Sequence, residues 1–237
     1  MPTKNFGGLT MLYSLLNGTF SIQNVIMQLL AVSIIVFLVM PLHEFAHGFI
    51  AYKLGDNTAK NMGRLRFSPT AHIDPVGALM ILFVGFGWAK PVPVNPRNFK
   101  NPKAGMAITA LAGPVSNIIS AFIGTILFYV NILIAENAIL PLFVCELLYV
   151  LFSYFISVNV SLAVFNLIPI PPLDGSRILS SILPDKYYYT LMQYERYIQI
   201  GLFILLFTGI LSTPLSFLSG AITQLFMRIA LSVFQIL

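Results

Sequence analysis

Long apolar stretches follow one another along this chain with only short polar gaps between them. Runs of spanning length occupy about 24–52, 104–135, 139–168, 187–212 and 214–237, and roughly 20 apolar residues suffice for a helix to cross the hydrocarbon core. A further stretch, 73–87 (IDPVGALMILFVGFG), has four Gly or Pro positions and is short for a crossing. The weakly apolar 8–20 (GLTMLYSLLNGTF) reads as interfacial. The pattern predicts an α-helical polytopic membrane protein with about five to six transmembrane helices. The polar gaps, 53–71 and about 89–103, are too short to fold as modules of their own. Residues 1–237 therefore read as a single membrane-embedded domain. The first run reads as retained, because it is long and no small-residue cleavage site follows it.

Composition agrees and removes some functions. Of 237 residues, 57% are hydrophobic and 9% charged, and the mean hydropathy is +0.86, outside the range of soluble domains. A net charge of +5 would suit nucleic acid, but the basic residues sit beside the ends of the apolar runs. The expected partner is therefore the lipid bilayer and not nucleic acid. Cys145 is the only cysteine, so no intrachain disulfide forms, and its apolar surroundings suit an inert buried thiol.

Charge is concentrated where it costs most, in MPLHEFAHGF (40–49) near the end of the first run. His43 and His47 are four residues apart, so on a helix their imidazoles share a face one turn apart, as two metal ligands require. Glu44 follows the first histidine; in H-E-x-x-H sites that position moves protons between water and the leaving amine and does not bind metal. A catalytic zinc takes three protein ligands, so a third must come from elsewhere. Asp56, His72, Asp74, Glu136, Glu146, Asp174, Asp185 and Glu195 are the remaining acidic and histidine residues. Among them Asp174 lies in FNLIPIPPLDG (165–175), where Pro169, Pro171 and Pro172 interrupt the helix. Irregular backbone at membrane depth is tolerated where it is buried in protein or lines a wet cavity.

HEFAH followed by N-x-x-P-x-P-P-L-D-G resembles the site-2 protease family of intramembrane zinc metalloproteases, over most of the chain. The resemblance implies His43, His47 and Asp174 as ligands of one Zn2+ per chain and Glu44 as general base. It also implies that Asn166 helps to position substrate or the oxyanion. AGPVSN (112–117) matches a family G-P-x-x-N element through Gly113, Pro114 and Asn117, with Asn117 a second polar group of the same kind. GWAKPVPVNP (87–96) is similar to a segment of the small members that lack a PDZ domain.

Topology follows from parity. If 73–87 spanned, Asp174 would reach the side opposite the two histidines and the zinc site could not close. If 73–87 is re-entrant, Asp174 arrives on their side. The same choice gathers Lys53, Lys60, Arg64, Arg66, Lys90, Arg97, Lys100, Lys103, Arg177 and Lys186 on one face. The positive-inside rule makes that face cytoplasmic, in the plasma membrane. With the first helix leaving the bilayer near residue 54, His47 lies ~10 Å inside, so water must reach it through a polar opening. GRLRFSP (63–69) and KPVPV (90–94) read as a short β-edge region at the membrane surface, with Val92 and Val94 holding an unwound substrate segment as an added strand.

The expected function is hydrolysis of peptide bonds within or near transmembrane segments of membrane-protein substrates. A catalytically silent zinc-binding scaffold that retains partner helices is the competing reading, but it has no need of Glu44. A metal transporter would need a polar path to the far side, and no inverted repeat supplies one. A zincin with glutamate as third ligand fits the PPLDG element less well than one with aspartate.

Overall fold

The computed structural model describes residues 26, 29–30, 32–84, 87–184, 186–187, 191 and 193–234. The stretch 8–20 lies outside them. The described residues form helices α1 (Val32–Lys53), α2 (Thr58–Asn61), α3 (Pro69–His72), α4 (Pro75–Val84), α5 (Pro102–Glu136), α6 (Leu142–Asn166), α7 (Asp174–Ile182), α8 (Glu195–Phe207) and α9 (Ser212–Phe234). Four of these, α1, α5, α6 and α9, are long and apolar enough to cross a membrane. The chain is an integral membrane protein.

In the expected run 187–212 residues 188–190 and 192 lie outside the described residues; α8, its longest described helix, has 13 residues and extends ~20 Å at about 1.5 Å per residue. Gly209 ends it: with φ of +72° it takes the left-handed conformation after the C-cap, and its N–H donates to the Leu206 carbonyl.

α5 is the mast of the structure. Its 35 residues extend ~53 Å, and α1, α6, α7 and α9 all pack on it. Asn101 starts it by accepting from the Ala104 N–H, with Pro102 in the first turn. The core between α5 and α6 is built on Ala121, Phe128, Ile156, Val160 and Val164. Small residues allow close approach: a Cβ on Gly124 would come within 2.8 Å of Phe155.

The stretch after α3 turns back on itself. α4 has ten residues, ~15 Å against a hydrocarbon core of ~30 Å. Its start meets the chain beyond its end, because a Cβ on Gly77 would overlap the Trp88 carbonyl and one on Gly87 would overlap the Gly77 carbonyl. The Lys90 N–H donates to the His72 carbonyl at 2.8 Å. Residues 72 and 90 therefore sit together, and the segment between them leaves and returns at one place.

Among the described residues there is no strand. The expected β-edge segments 63–69 and 90–94 run without a ladder, because other groups bind the backbone of 90–98. Arg64 Nη2 donates to the Lys90 and Pro91 carbonyls at 2.7 and 3.2 Å. Pro91 and Pro93 have no N–H to offer. At the far end of this strap Asp56, fully buried, accepts from Thr58 N–H (3.0 Å), Asn95 N–H (2.7 Å) and Asn98 Nδ2 (2.6 Å). Burial pushes the Asp56 carboxyl up, but these bonds outweigh it and hold it below the usual carboxylate range. An ionised carboxylate thus fastens the strap to the end of α1.

Candidate metal centre

α1 approaches the centre through a π-helical turn, Ile35–Val39, and continues as regular helix over Met40–Lys53 with Pro41 in its first turn. His43 and His47 are both buried, with ring centroids 4.6 Å apart and planes nearly perpendicular. They face α5, where glycine is required. A Cβ at Gly113 would overlap His47 Nε2 and come within 2.5 Å of Cε1 on both rings. Pro114 follows inside α5 and has no N–H for the Ala110 carbonyl. One residue earlier, the Thr109 carbonyl accepts a hydrogen bond from His47 Nδ1 at 2.7 Å.

Asp174 arrives from the other side. Pro169, Pro171 and Pro172 stop α6 from continuing, and tight turns at 168–173 lead the chain back, with the Ile170 N–H bonded to Ile168 O and the Leu173 N–H to Ile170 O. Asp174 is the first residue of α7, where a negative charge suits the free N–H groups. Gly175 is the contact point: a Cβ there would overlap the Leu167 carbonyl and reach within 2.5 Å of the Ile168 carbonyl. The D-G pair is thus one candidate ligand and one space-saving residue.

His43 Nε2 and His47 Nε2 lie 3.0 Å apart, and each is 3.2 Å from Asp174 Oδ2. A carbonyl only accepts, so the Thr109 contact places the His47 proton on Nδ1 and leaves a lone pair on Nε2. Asp174 Oδ2 is buried and receives no hydrogen bond. Ligand atoms bound tetrahedrally at zinc distances stand about 3.3 Å from one another, and the observed triangle is close to that. The donor set, two imidazoles and one carboxylate, fits a zinc site with an open fourth position.

Glu44 projects from the same turn as His43, half-buried, and its Oε2 accepts from the Val92 N–H at 2.9 Å. The strap therefore touches the glutamate directly. Val92 is buried, and its methyl would lie 3.1 Å from a Cβ on Gly48. Val94 is half-buried next to it.

Of the other acidic and histidine candidates, Asp185 lies outside the described residues and Glu195 begins α8. Asp56 holds the strap, Asp74 caps α4 by accepting from the Gly77 N–H, and His72 bonds the Arg66 carbonyl through Nε2. Glu136 and Glu146 line a cavity of about 360 Å³ where α5 ends and α6 begins. Asn166 is half-buried at the end of α6, eight residues before Asp174. Asn117 is fully buried against the Nδ1 edge of His43 at 3.2 Å, while Nε2 faces the triangle. Thr109 was not among the residues expected from the sequence; it acts through a backbone carbonyl, so its side-chain identity carries no signal.

The profile of Peptidase family M50 matches residues 133–208, the part that contains Asn166 and Asp174. A Bacillus subtilis (strain 168) protein named "Putative zinc metalloprotease YwhC" is 43% identical over 178 residues, covering 73% of this chain and 77% of that protein. The chain belongs to peptidase family M50. "Zinc metalloprotease MJ0392" of Methanocaldococcus jannaschii is 30% identical over 158 residues, 66% of this chain and 35% of that protein. "Putative zinc metalloprotease Rip2" of Mycobacterium tuberculosis is 28% identical over 138 residues, 56% of this chain and 50% of that protein. The chain thus spans half or less of these last two relatives. No solved structure matches it. For an M50 chain zinc is the implied metal, and His43, His47 and Asp174 are the group able to hold it.

Gly113→Ala tests the seat beneath the two rings of this M50 chain. The added methyl forces them apart at an overpacking cost of ~1–3 kcal/mol, and zinc affinity is expected to fall by about tenfold or more. Competition with a chromophoric chelator measures it, and unchanged affinity contradicts the described packing.

Proposed function

We propose that this chain is a zinc-dependent intramembrane endopeptidase that cuts a peptide bond within or beside a transmembrane segment of another membrane protein. One observation carries the reading: in a family M50 chain, Asp174 converges on two buried histidines of an apolar helix, within one helix turn of Glu44. His43, His47 and Asp174 would hold the ion. Zinc, when bound, supplies Lewis acidity, lowering the pKa of water and polarising a carbonyl. Glu44 is the group that takes the proton from the attacking water and delivers it to the leaving amine. The bond from Val92 N–H orients its carboxylate for that task and leaves Oε1 available. Asn166 stands at the end of α6 as the polar group for the substrate carbonyl.

The closed stretch 72–90 supports a re-entrant element, since both its ends lie on one side. The contact of Asp174 with both histidines fits the same parity. The basic residues Lys60, Arg64, Arg97 and Lys100 then share that side, so the site opens to the cytoplasm from the cell membrane. A helical substrate segment shields its carbonyls by hydrogen bonding and has to unwind before it is cut. The strap around Val92 and Val94 is the extended backbone that would hold it.

Three experiments test this reading. In detergent-purified protein Asp174→Ala is expected to lose zinc and cleavage together. Glu44→Gln is expected to keep about one zinc per chain and lose ~10²–10⁴-fold in cleavage of single-span reporters in proteoliposomes. Full turnover by Glu44→Gln rejects the assigned base.

Val94→Pro removes a strap N–H while leaving the Val92 bond to Glu44 in place. It should slow cleavage with zinc content unchanged, and an unaltered rate argues against strand addition.

Orientation is read by labelling. Cysteines at Lys60 and Arg97 should react only from the cytoplasm, and one at the exposed Ile139 only from outside. The reverse pattern inverts the topology.

A further inference from the structure

We infer that Asn117 fixes the proton of His43 on Nδ1 by turning its side-chain oxygen to that ring edge, which makes Asn117 a positioning residue of the metal site; this rests on the metalloprotease reading above. The two histidines are supported differently. His47 Nδ1 faces the Thr109 carbonyl, which can only accept, so Nε2 keeps its lone pair. Among the described residues no carbonyl bonds His43 in the equivalent place. Its Nδ1 faces Asn117 Nδ2 at 3.2 Å, and turning the amide over would put the accepting Oδ1 there instead.

The choice decides whether His43 is a ligand. With Nδ2 toward the ring, Nδ1 must accept, and the ring proton moves to Nε2, 3.0 Å from His47 Nε2 and 3.2 Å from Asp174 Oδ2. A protonated Nε2 cannot bind metal. With Oδ1 toward the ring, the Nδ1–H donates to it and the third lone pair joins the triangle. The two orientations exchange atoms of nearly equal size in the same space. In the orientation with Nδ2 on the ring, the buried Oδ1 has no partner.

Placement suits this role and not substrate contact. Asn117 is fully buried and lies one helical turn after Gly113, on the α5 face that the imidazoles touch. Its amide meets the ring edge facing away from the triangle. The G-P-x-x-N element of this chain thereby becomes one device: Gly113 makes room for the rings and Asn117 sets the form of one of them.

The test compares the full-length chain in detergent, metal-free and zinc-titrated, as wild type, Asn117→Asp and Asn117→Ala. The zinc dissociation constant is read by chelator competition, and the Co2+ absorption spectrum reports the geometry of the ligands. Aspartate accepts but cannot donate, so Asn117→Asp is expected to bind zinc at least as tightly as wild type, with an unchanged Co2+ spectrum. Asn117→Ala is expected to bind about 10–100-fold more weakly. Wild-type affinity in Asn117→Ala, or a loss in Asn117→Asp equal to that in Asn117→Ala, overturns the inference while leaving the zinc site intact. If the alanine variant fails to fold, Asn117→Asp decides alone, because a carboxylate cannot serve a position that must donate. A wild type that binds no zinc refutes the metalloprotease reading itself, and this inference with it.

Discussion

Two imidazole nitrogens and a carboxylate oxygen share a very small space in this structure, in a triangle with sides of 3.0–3.2 Å. Water is largely excluded there, so a charge among them is weakly screened. The scaffold brings the groups together from both flanks of α5. α1 brings the imidazoles onto Gly113, and α7 brings Asp174 in from the end of a proline-rich turn. A proton or a cation at the centre is what such a triangle attracts. Metal binding there would be linked to helix packing, as it is wherever a site cannot form in the unfolded state.

Much of this was legible in the sequence, and the reasons differ from residue to residue. The H-E-x-x-H spacing works because a helix has one repeat, so two positions four apart share a face whatever surrounds them. Asp174 could be narrowed by its proline context, but its selection rested on the family pattern, and the contact with both histidines was visible only in three dimensions. Hydropathy placed the four long helices well. Within 187–212 the described residues show α8, which Gly209 ends by its backbone conformation, something a hydropathy count does not register. The extended character of 90–94 was readable from its prolines, yet the partners of its backbone, Arg64, His72 and Glu44, come from distant parts of the chain and left no local mark.

The strap joins these parts. Asp56 holds one end, Arg64 and His72 hold the other, and Val92 N–H meets Glu44 between them. Polar groups that look like ordinary loop decoration thus position the backbone beside Glu44. Because Glu44 Oε2 and the strap share a hydrogen bond, displacement of the loop alters the environment of the carboxylate without touching any of the three metal-facing atoms.

The closed stretch between His72 and Lys90 has one more consequence. Its base is sealed by a backbone hydrogen bond and by glycines in backbone contact, and the buried Ile81 of α4 packs on Gly87 there. An insertion or deletion within α4 would move Ile81 off Gly87 and shift the start of the strap, and with it the register of Val92 against Glu44. The length of this element is thus tied to the position of the strap, and Gly77 and Gly87, with no room for a Cβ, are the points where the two are locked together.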